Sequence, residues 1–129
     1  MDVMQGFPPV PDTQATLANW RTQPFSSWAF HHVREIVPSA EIRNNPQDMW
    51  PLEAGAPLLP PEDVAAAVAS TQTDALVVLH HGRVVHELYR HGMTEADPHI
   101  LMSVSKSVLG LLAGVLSGKG FLKVEAPLT

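Results

Sequence analysis

The stretch HILMSVSKSVLGLLAGVLSGKG, residues 99–120, sets three serines and one lysine within Ser103–Ser107 and then carries no charge until Lys119. Ser103 and Lys106 stand three apart, so on a helix they share a face and can touch. Ser103 falls at the predicted helix N-terminus, where free backbone N–H groups and the dipole favour developing negative charge. A lysine is electrostatically out of place there in a merely structural helix. Held against a serine and partly shielded from water, a lysine gives up its proton more readily and can take the hydroxyl proton. This Ser-x-x-Lys spacing suits acyl transfer. Four letters alone are weak, because a chain of this length holds about half a match by chance at ordinary composition. The plain alternative is a serine N-cap followed by a solvated lysine.

The rest of the helix adds weight. Gly110, Ala113 and Ser117 continue the Ser103–Lys106 face and are all small, whereas Val104, Val108, Leu111, Leu112 and Val115 are bulky and apolar. Gly110 and Gly114 each cost about 1 kcal/mol relative to alanine inside a helix, so close approach of neighbouring backbone is expected. The helix is predicted over residues 103–117, stopped by Gly118 and Gly120, buried on most sides with its mouth open. Ser105 and Ser107 lie off the Ser103–Lys106 face and read as helix-terminus hydrogen-bonders.

Upstream elements must hold that mouth in place. DALVVLHHGRVVHELYRHG predicts a β-hairpin over about residues 75–90, turning at His81-Gly82-Arg83. PPEDVAAAVASTQ predicts a helix with Pro61 near its start and Glu62 and Asp63 in its first turn. Ten of the twelve prolines fall in the first 61 residues, which rules out continuous helix or central strand there. TLANWRTQPFSSWAFHHVREIVPSAEI is nevertheless too hydrophobic for a disordered tail. Residues 27–37 predict a short helix ended by Pro38. Residues 1–58 therefore read as an extended Pro-rich arm that packs Trp20 and Trp28 on a body, and residues 59–129 as that body.

Composition excludes several classes. A net charge of −5 without a basic stripe argues against nucleic acid. The absence of cysteine removes disulfides, thiolate catalysis and Cys-type zinc sites. The start, MDVMQGFPPVPD, lacks the pattern of a secretory signal, and the apolar run before Lys119 is too short to span a bilayer. The expectation is a soluble cytoplasmic protein with no membrane association. Seven histidines, His31, His32, His80, His81, His86, His91 and His99, show no zinc spacing such as H-E-x-x-H and read as turn and surface residues. Asp97 before Pro98 reads as a turn residue. No metal and no cofactor is expected.

At the helix, LMSVSKSVLGLLAGVLSGKGFLKVEAPLT resembles the active-site helix of the β-lactamase-like serine hydrolases, which include class C β-lactamases, penicillin-binding proteins and related esterases. The hairpin and the loop TEADPHILMSVSKS are similar to the same family. The arm resembles that of the 6-aminohexanoate-dimer (nylon-oligomer) hydrolases. The resemblance runs over most of residues 16–129. It implies an α/β protein of α+β type, an antiparallel sheet flanked by helices, of which these residues form the N-terminal part. It implies hydrolysis of a small amide or ester through an acyl-enzyme, with Ser103 as nucleophile and half of the oxyanion hole, and Lys106 as base partner. It also implies a tyrosine from a later loop and a late strand carrying the second oxyanion N–H. Tyr89 lies in the hairpin and does not match that tyrosine. The 129 residues are thus expected to be inactive alone, completed by a missing C-terminal part, and to belong to a chain that could form a homodimer. Two alternatives stand beside this: a non-catalytic remnant that only packs against a partner, and a β-lactamase or penicillin-binding enzyme, against which the lack of a signal peptide counts.

Overall fold

The computed structural model describes residues 2–126. The elements follow in chain order: α1 (Phe25–Ala29), α2 (Val33–Ile36), β1 (Glu53–Ala54), α3 (Glu62–Ser70), β2 (Ala75–His80), β3 (Arg83–Tyr89) and α4 (Val104–Gly118). They fall into two compact units, Met1–Pro98 and His99–Thr129. The arm and the hairpin thus share one unit, and α4 forms the other. No helix among the described residues is long and apolar enough to cross a membrane.

The hairpin organises the first unit. His81 (φ 50°) and Gly82 (φ 76°) are both left-handed, the requirement of a two-residue turn that matches strand twist. The turn is one residue shorter than the sequence suggested, because Arg83 already pairs with His80. The antiparallel ladder runs from there to Ala75 opposite Tyr89, interrupted between Val78 and Leu79, where β3 carries Val85 as an extra residue. That bulge explains why the apolar alternation in β3 is only partial.

A strand from the arm completes a three-stranded sheet in the order β1-β3-β2. To the antiparallel hairpin this adds a short parallel edge, since Glu53 and Ala54 lie parallel to Arg83 and Val84. The Gly55 and Leu58 amides extend the pairing by donating to the carbonyls of Val84 and Val85, each at 2.8 Å. Arg83 also meets the Glu53 carboxylate at 2.8 Å, an exposed pair that contributes about 1 kcal/mol at most. β1 stays at the edge, as its proline-rich surroundings require.

α3 begins after Pro61, with Asp63 accepting from the Val64 amide, and ends where Thr71 Oγ1 donates to the Ala67 carbonyl. Its half-buried face is Val64 and Val68, four apart. The Arg90 guanidinium donates to the Val68 carbonyl, and the Arg90 amide donates to the Asp74 carbonyl, so one residue ties α3 to the open end of the hairpin.

The helix expected over residues 27–37 is two short helices instead. His31 N–H and the His32 ring Nδ1 both engage the Trp28 carbonyl, at 3.2 and 2.7 Å, which continued α-helix would reserve for the His32 amide. His32 leaves helical dihedrals, and Val37 ahead of Pro38 is extended. Trp28 stacks on His32 at 4.2 Å, and Trp20 meets Phe30 edge-on at 6.1 Å, all within the arm. Ala15, Ser26 and Ala29, all in the arm, are the buried residues among those described. Further along, Ile42 and Trp50 are fully exposed.

Two predictions follow from this unit. A Cβ on Gly55 would lie 2.9 Å from Val85 Cγ1 and 3.1 Å from Arg83 Cβ, and β-branched valine has little rotamer freedom with which to yield. Gly55→Ala should therefore destabilise the β1–β3 pairing by about 1–3 kcal/mol. Amide exchange at positions 55 and 58 should accelerate accordingly; unchanged exchange would show that the arm has slack there.

The second concerns the loop that leads from β3 to Pro98. Asp97 Oδ2 accepts from the Thr94 hydroxyl and from the Thr94 amide, both at 2.7 Å. These bonds, the hydroxyl's first, hold the carboxyl below its usual range. The loop's stabilisation is then complete above the ordinary aspartate pKa of about 3.9 and is lost as pH falls through the lowered value. The Thr94 amide shift should titrate below that ordinary value, and in Asp97→Asn it should stay flat. A titration at or above the ordinary value would contradict the bonding.

Candidate active site

α4 runs one residue later at each end than its sequence pattern suggested. Its C-terminus is closed by glycine chemistry. Gly120 is left-handed (φ 76°), its amide donates to the Ser117 carbonyl at 2.9 Å, and the Phe121 amide donates to the Leu116 carbonyl at 2.9 Å. This is the paired bonding of a Schellman terminus.

The N-terminus departs from the ordinary form. A serine N-cap has extended dihedrals, and its side chain accepts from an amide of the first turn. Ser103 has helical dihedrals (φ −69°, ψ −11°), and its side chain makes no capping bond. The hydroxyl instead accepts from Lys106 Nζ at 3.4 Å. The two residues read from the sequence as a reacting pair are thus adjacent, and the capping half of the plain alternative does not hold. The separation is long for a hydrogen bond.

The turn into the helix is tight. The amides of Val104, Ser105 and Lys106 donate to the carbonyls of Leu101, Met102 and Ser103 at 3.0, 3.2 and 3.0 Å. The Ser103 amide has no acceptor among the described residues, so it is open to an incoming oxygen. Met102, immediately before it, has φ 48°. For a residue other than glycine such a conformation costs on the order of 1–3 kcal/mol. Nothing in the sequence signals it, because methionine has no preference for that region.

The surroundings of the pair correct the expected burial. Lys106 is exposed. So are Val104, Val108, Leu109, Leu111, Leu112 and Val115, with Leu111 at 74%. Only Ala113 and Ser117, both on the small-residue stripe, are half-buried among the described residues of α4. A Cβ on Gly110 or Gly114 would meet nothing within 4 Å, so the close backbone approach expected at these glycines is not made by the described residues. The sequence pattern reports a helix suited to burial, and the described residues do not supply the cover. The hydroxyls of Ser105 and Ser107, expected to bond at the helix terminus, make no hydrogen bond among the described residues.

The other candidates are placed as follows. Tyr89 donates its hydroxyl to Glu87 Oε1 at 2.9 Å, and this bond, with the nearby carboxylate charge, raises the phenol above its usual value. A raised phenol is poorly suited to act as a phenolate base. His81 and His91 sit in turns with left-handed backbone, and His99 is exposed, with Nδ1 donating to the Ile100 carbonyl at 2.8 Å. His31, His32 and His86 are half-buried, contrary to the surface reading. His31 Nδ1 donates to the Pro98 carbonyl at 2.9 Å, and its Nε2 lies 3.7 Å from Asp74 Oδ2, linking α1's end, the start of β2 and the loop's end. The His86 Nε2 atom is buried without a hydrogen-bond partner among the described residues.

Comparison with known proteins finds no matching protein-family model. The 6-aminohexanoate-dimer hydrolase of Paenarthrobacter ureafaciens is 36% identical over 121 residues, which is 90% of this chain and 30% of that protein. A solved structure named "Putative 6-aminohexanoate-dimer hydrolase from Bacillus anthracis" matches with a TM-score of 0.70 and 24% identity, over 84% of this chain and 30% of its own. The chain therefore spans about a third of the length of each protein it matches. At that identity the structural likeness shows a shared fold, which bears out the mixed α and β class read from the sequence. The resemblance drawn from the arm, hairpin and helix is borne out by both matches, which carry the same activity in their names.

Proposed function

We propose that these residues are part of a serine hydrolase that cleaves small amides or esters, of the 6-aminohexanoate-oligomer or carboxylesterase type, through an acyl-enzyme on Ser103. The observation that carries this reading is the uncapped Ser103 hydroxyl facing Lys106 Nζ at 3.4 Å at the mouth of α4. The similarity to two proteins named as 6-aminohexanoate-dimer hydrolases supports it.

The chemistry follows from the donor inventory. An ammonium can only donate, so Lys106 must act from its neutral amine. The amine accepts the Ser103 proton as Oγ bonds to the substrate carbonyl carbon, and the carbonyl oxygen becomes an oxyanion. The open Ser103 amide, at the positive end of the helix dipole, is one donor for that charge. Collapse breaks the bond to the leaving amine or alcohol, which departs with the proton. Water then cleaves the acyl ester and restores the serine. The second oxyanion donor and a further proton-transfer group belong, by the resemblance, to other parts of the domain. Those same parts are the natural cover for Val108, Leu111, Leu112 and Val115, each worth about 1.5–3 kcal/mol when fully buried.

The test is made on the intact protein that carries these residues. A fluorophosphonate should form a covalent adduct on Ser103, located by peptide mass spectrometry. Ser103→Ala should abolish both adduct and turnover with the melting curve unchanged. Lys106→Arg should be about as damaging as Lys106→Ala, by roughly 100-fold or more in kcat, because guanidinium keeps its proton. An adduct on Ser105 or Ser107 would reject the assignment. Near-normal turnover in Lys106→Arg would reduce Lys106 to a charge that positions substrate.

A further inference from the structure

We propose that His80 and His81, side by side at the tip of the hairpin, form a two-imidazole site for a late first-row divalent cation such as Zn2+ or Cu2+, and that the bound ion locks the turn. The inference is independent of the reading of Ser103.

Along a regular strand, successive side chains point to opposite faces, so neighbouring histidines do not share a ligand. His80 is the last residue of β2, and His81 opens the turn with left-handed backbone (φ 50°). The reversal brings the two rings to 4.0 Å between centroids, tilted by 59°. Asparagine, aspartate and glycine are the usual residues at this turn position, and here it carries an imidazole. Both histidines are exposed, so their contact is no part of a buried core. Imidazole nitrogens suit zinc and copper, and histidine is the commonest metal ligand in proteins. At metal–nitrogen distances of about 2.0 Å, two rings on one ion have centres roughly 4.5–5 Å apart. The pair therefore needs to open only slightly, and exposed side chains make such rotations freely. The turn's positive side chain does not stand in the way. Arg83, which pairs with His80 across the turn, meets the Glu53 carboxylate at 2.8 Å and is thereby engaged at β1. Two protein nitrogens leave the other positions of a four-coordinate ion to water, which makes the site open and exchangeable. An ion held by both rings joins the last strand residue to the first turn residue. Because it binds only the folded hairpin, it stabilises the ladder by linkage.

The test uses the intact protein that carries these residues, titrated with zinc chloride while the histidine ring signals are followed by NMR. The His80 and His81 rings should shift together, and Mg2+, which prefers oxygen ligands, should not displace the zinc. Copper sulfate should compete more tightly for the same pair. Two variants remove one ring each and keep the hairpin: asparagine in His81→Asn suits the turn, and threonine in His80→Thr suits a strand. In each, the affinity read from the remaining ring should fall about tenfold or more, because the second imidazole no longer binds intramolecularly. His91→Ala, at an exposed position in another turn, should leave that affinity unchanged. Zinc should also slow amide exchange along β2 and β3 in the parent and in neither single-ring variant. Parent affinity retained in His80→Thr or in His81→Asn, or zinc shifts confined to other histidines, would overturn the site. Ladder exchange unchanged in the zinc-bound parent would overturn the lock.

Discussion

The β2–β3 ladder is the interaction on which the first unit depends. β1, α3 and the end of α1 are each attached to it through polar bonds. β1 reaches it through the Gly55 and Leu58 amides. α3 reaches it through Arg90, which spans from the Val68 carbonyl to the Asp74 carbonyl. The arm's helices reach it through His31, which meets Asp74 and Pro98. The ladder itself depends on two left-handed residues, His81 and Gly82, whose twist lets the strands return without splaying. An isolated hairpin is marginal in water, and three strands with a covered face do better. The two-residue β1 is therefore more than decoration on the edge.

Burial plays a smaller part in this unit than backbone bonding does. The buried residues among those described are two alanines and a serine, all in the arm. The strands keep Val78, Val84, Val85 and Leu88 only half-covered. Hydrophobic burial supplies most folding free energy in ordinary domains. Half-covered strands therefore leave much of their potential stabilisation unrealised among the described residues.

α4 shows the same imbalance next to the candidate chemistry. Its ends are well determined: a tight turn at Met102–Ser103 and a Schellman terminus at Gly120. Its flanks are bulky, apolar and exposed. A helix closed so firmly at both ends presents Ser103 and Lys106 at a fixed spacing. The low-dielectric surroundings that would sharpen their chemistry require a cover for those flanks. The meeting of Ser103 with Lys106 is thus local, while a cover for the flanks is not.

That division matches what could be read from residues alone. The hairpin, α3, α4 and the meeting of Ser103 with Lys106 were legible, because each depends on neighbours within a few positions: strand periodicity around a His-Gly turn, acidic residues after Pro61, glycine past the last helical turn, and an i, i+3 spacing. The parallel β1 was not, since two residues paired with Arg83 and Val84 far along the chain leave no periodic trace. The break between α1 and α2 was hidden because it turns on one histidine ring claiming the Trp28 carbonyl. The left-handed Met102 had no sequence signal either, because only glycine and a few polar residues announce that backbone. Periods, turns and the pair at the helix mouth can be read from residues alone, since they are properties of short chain segments. Which strand joins the sheet and how the arm is tied down cannot, since those choices depend on surfaces brought together by loop closure, which no local pattern encodes.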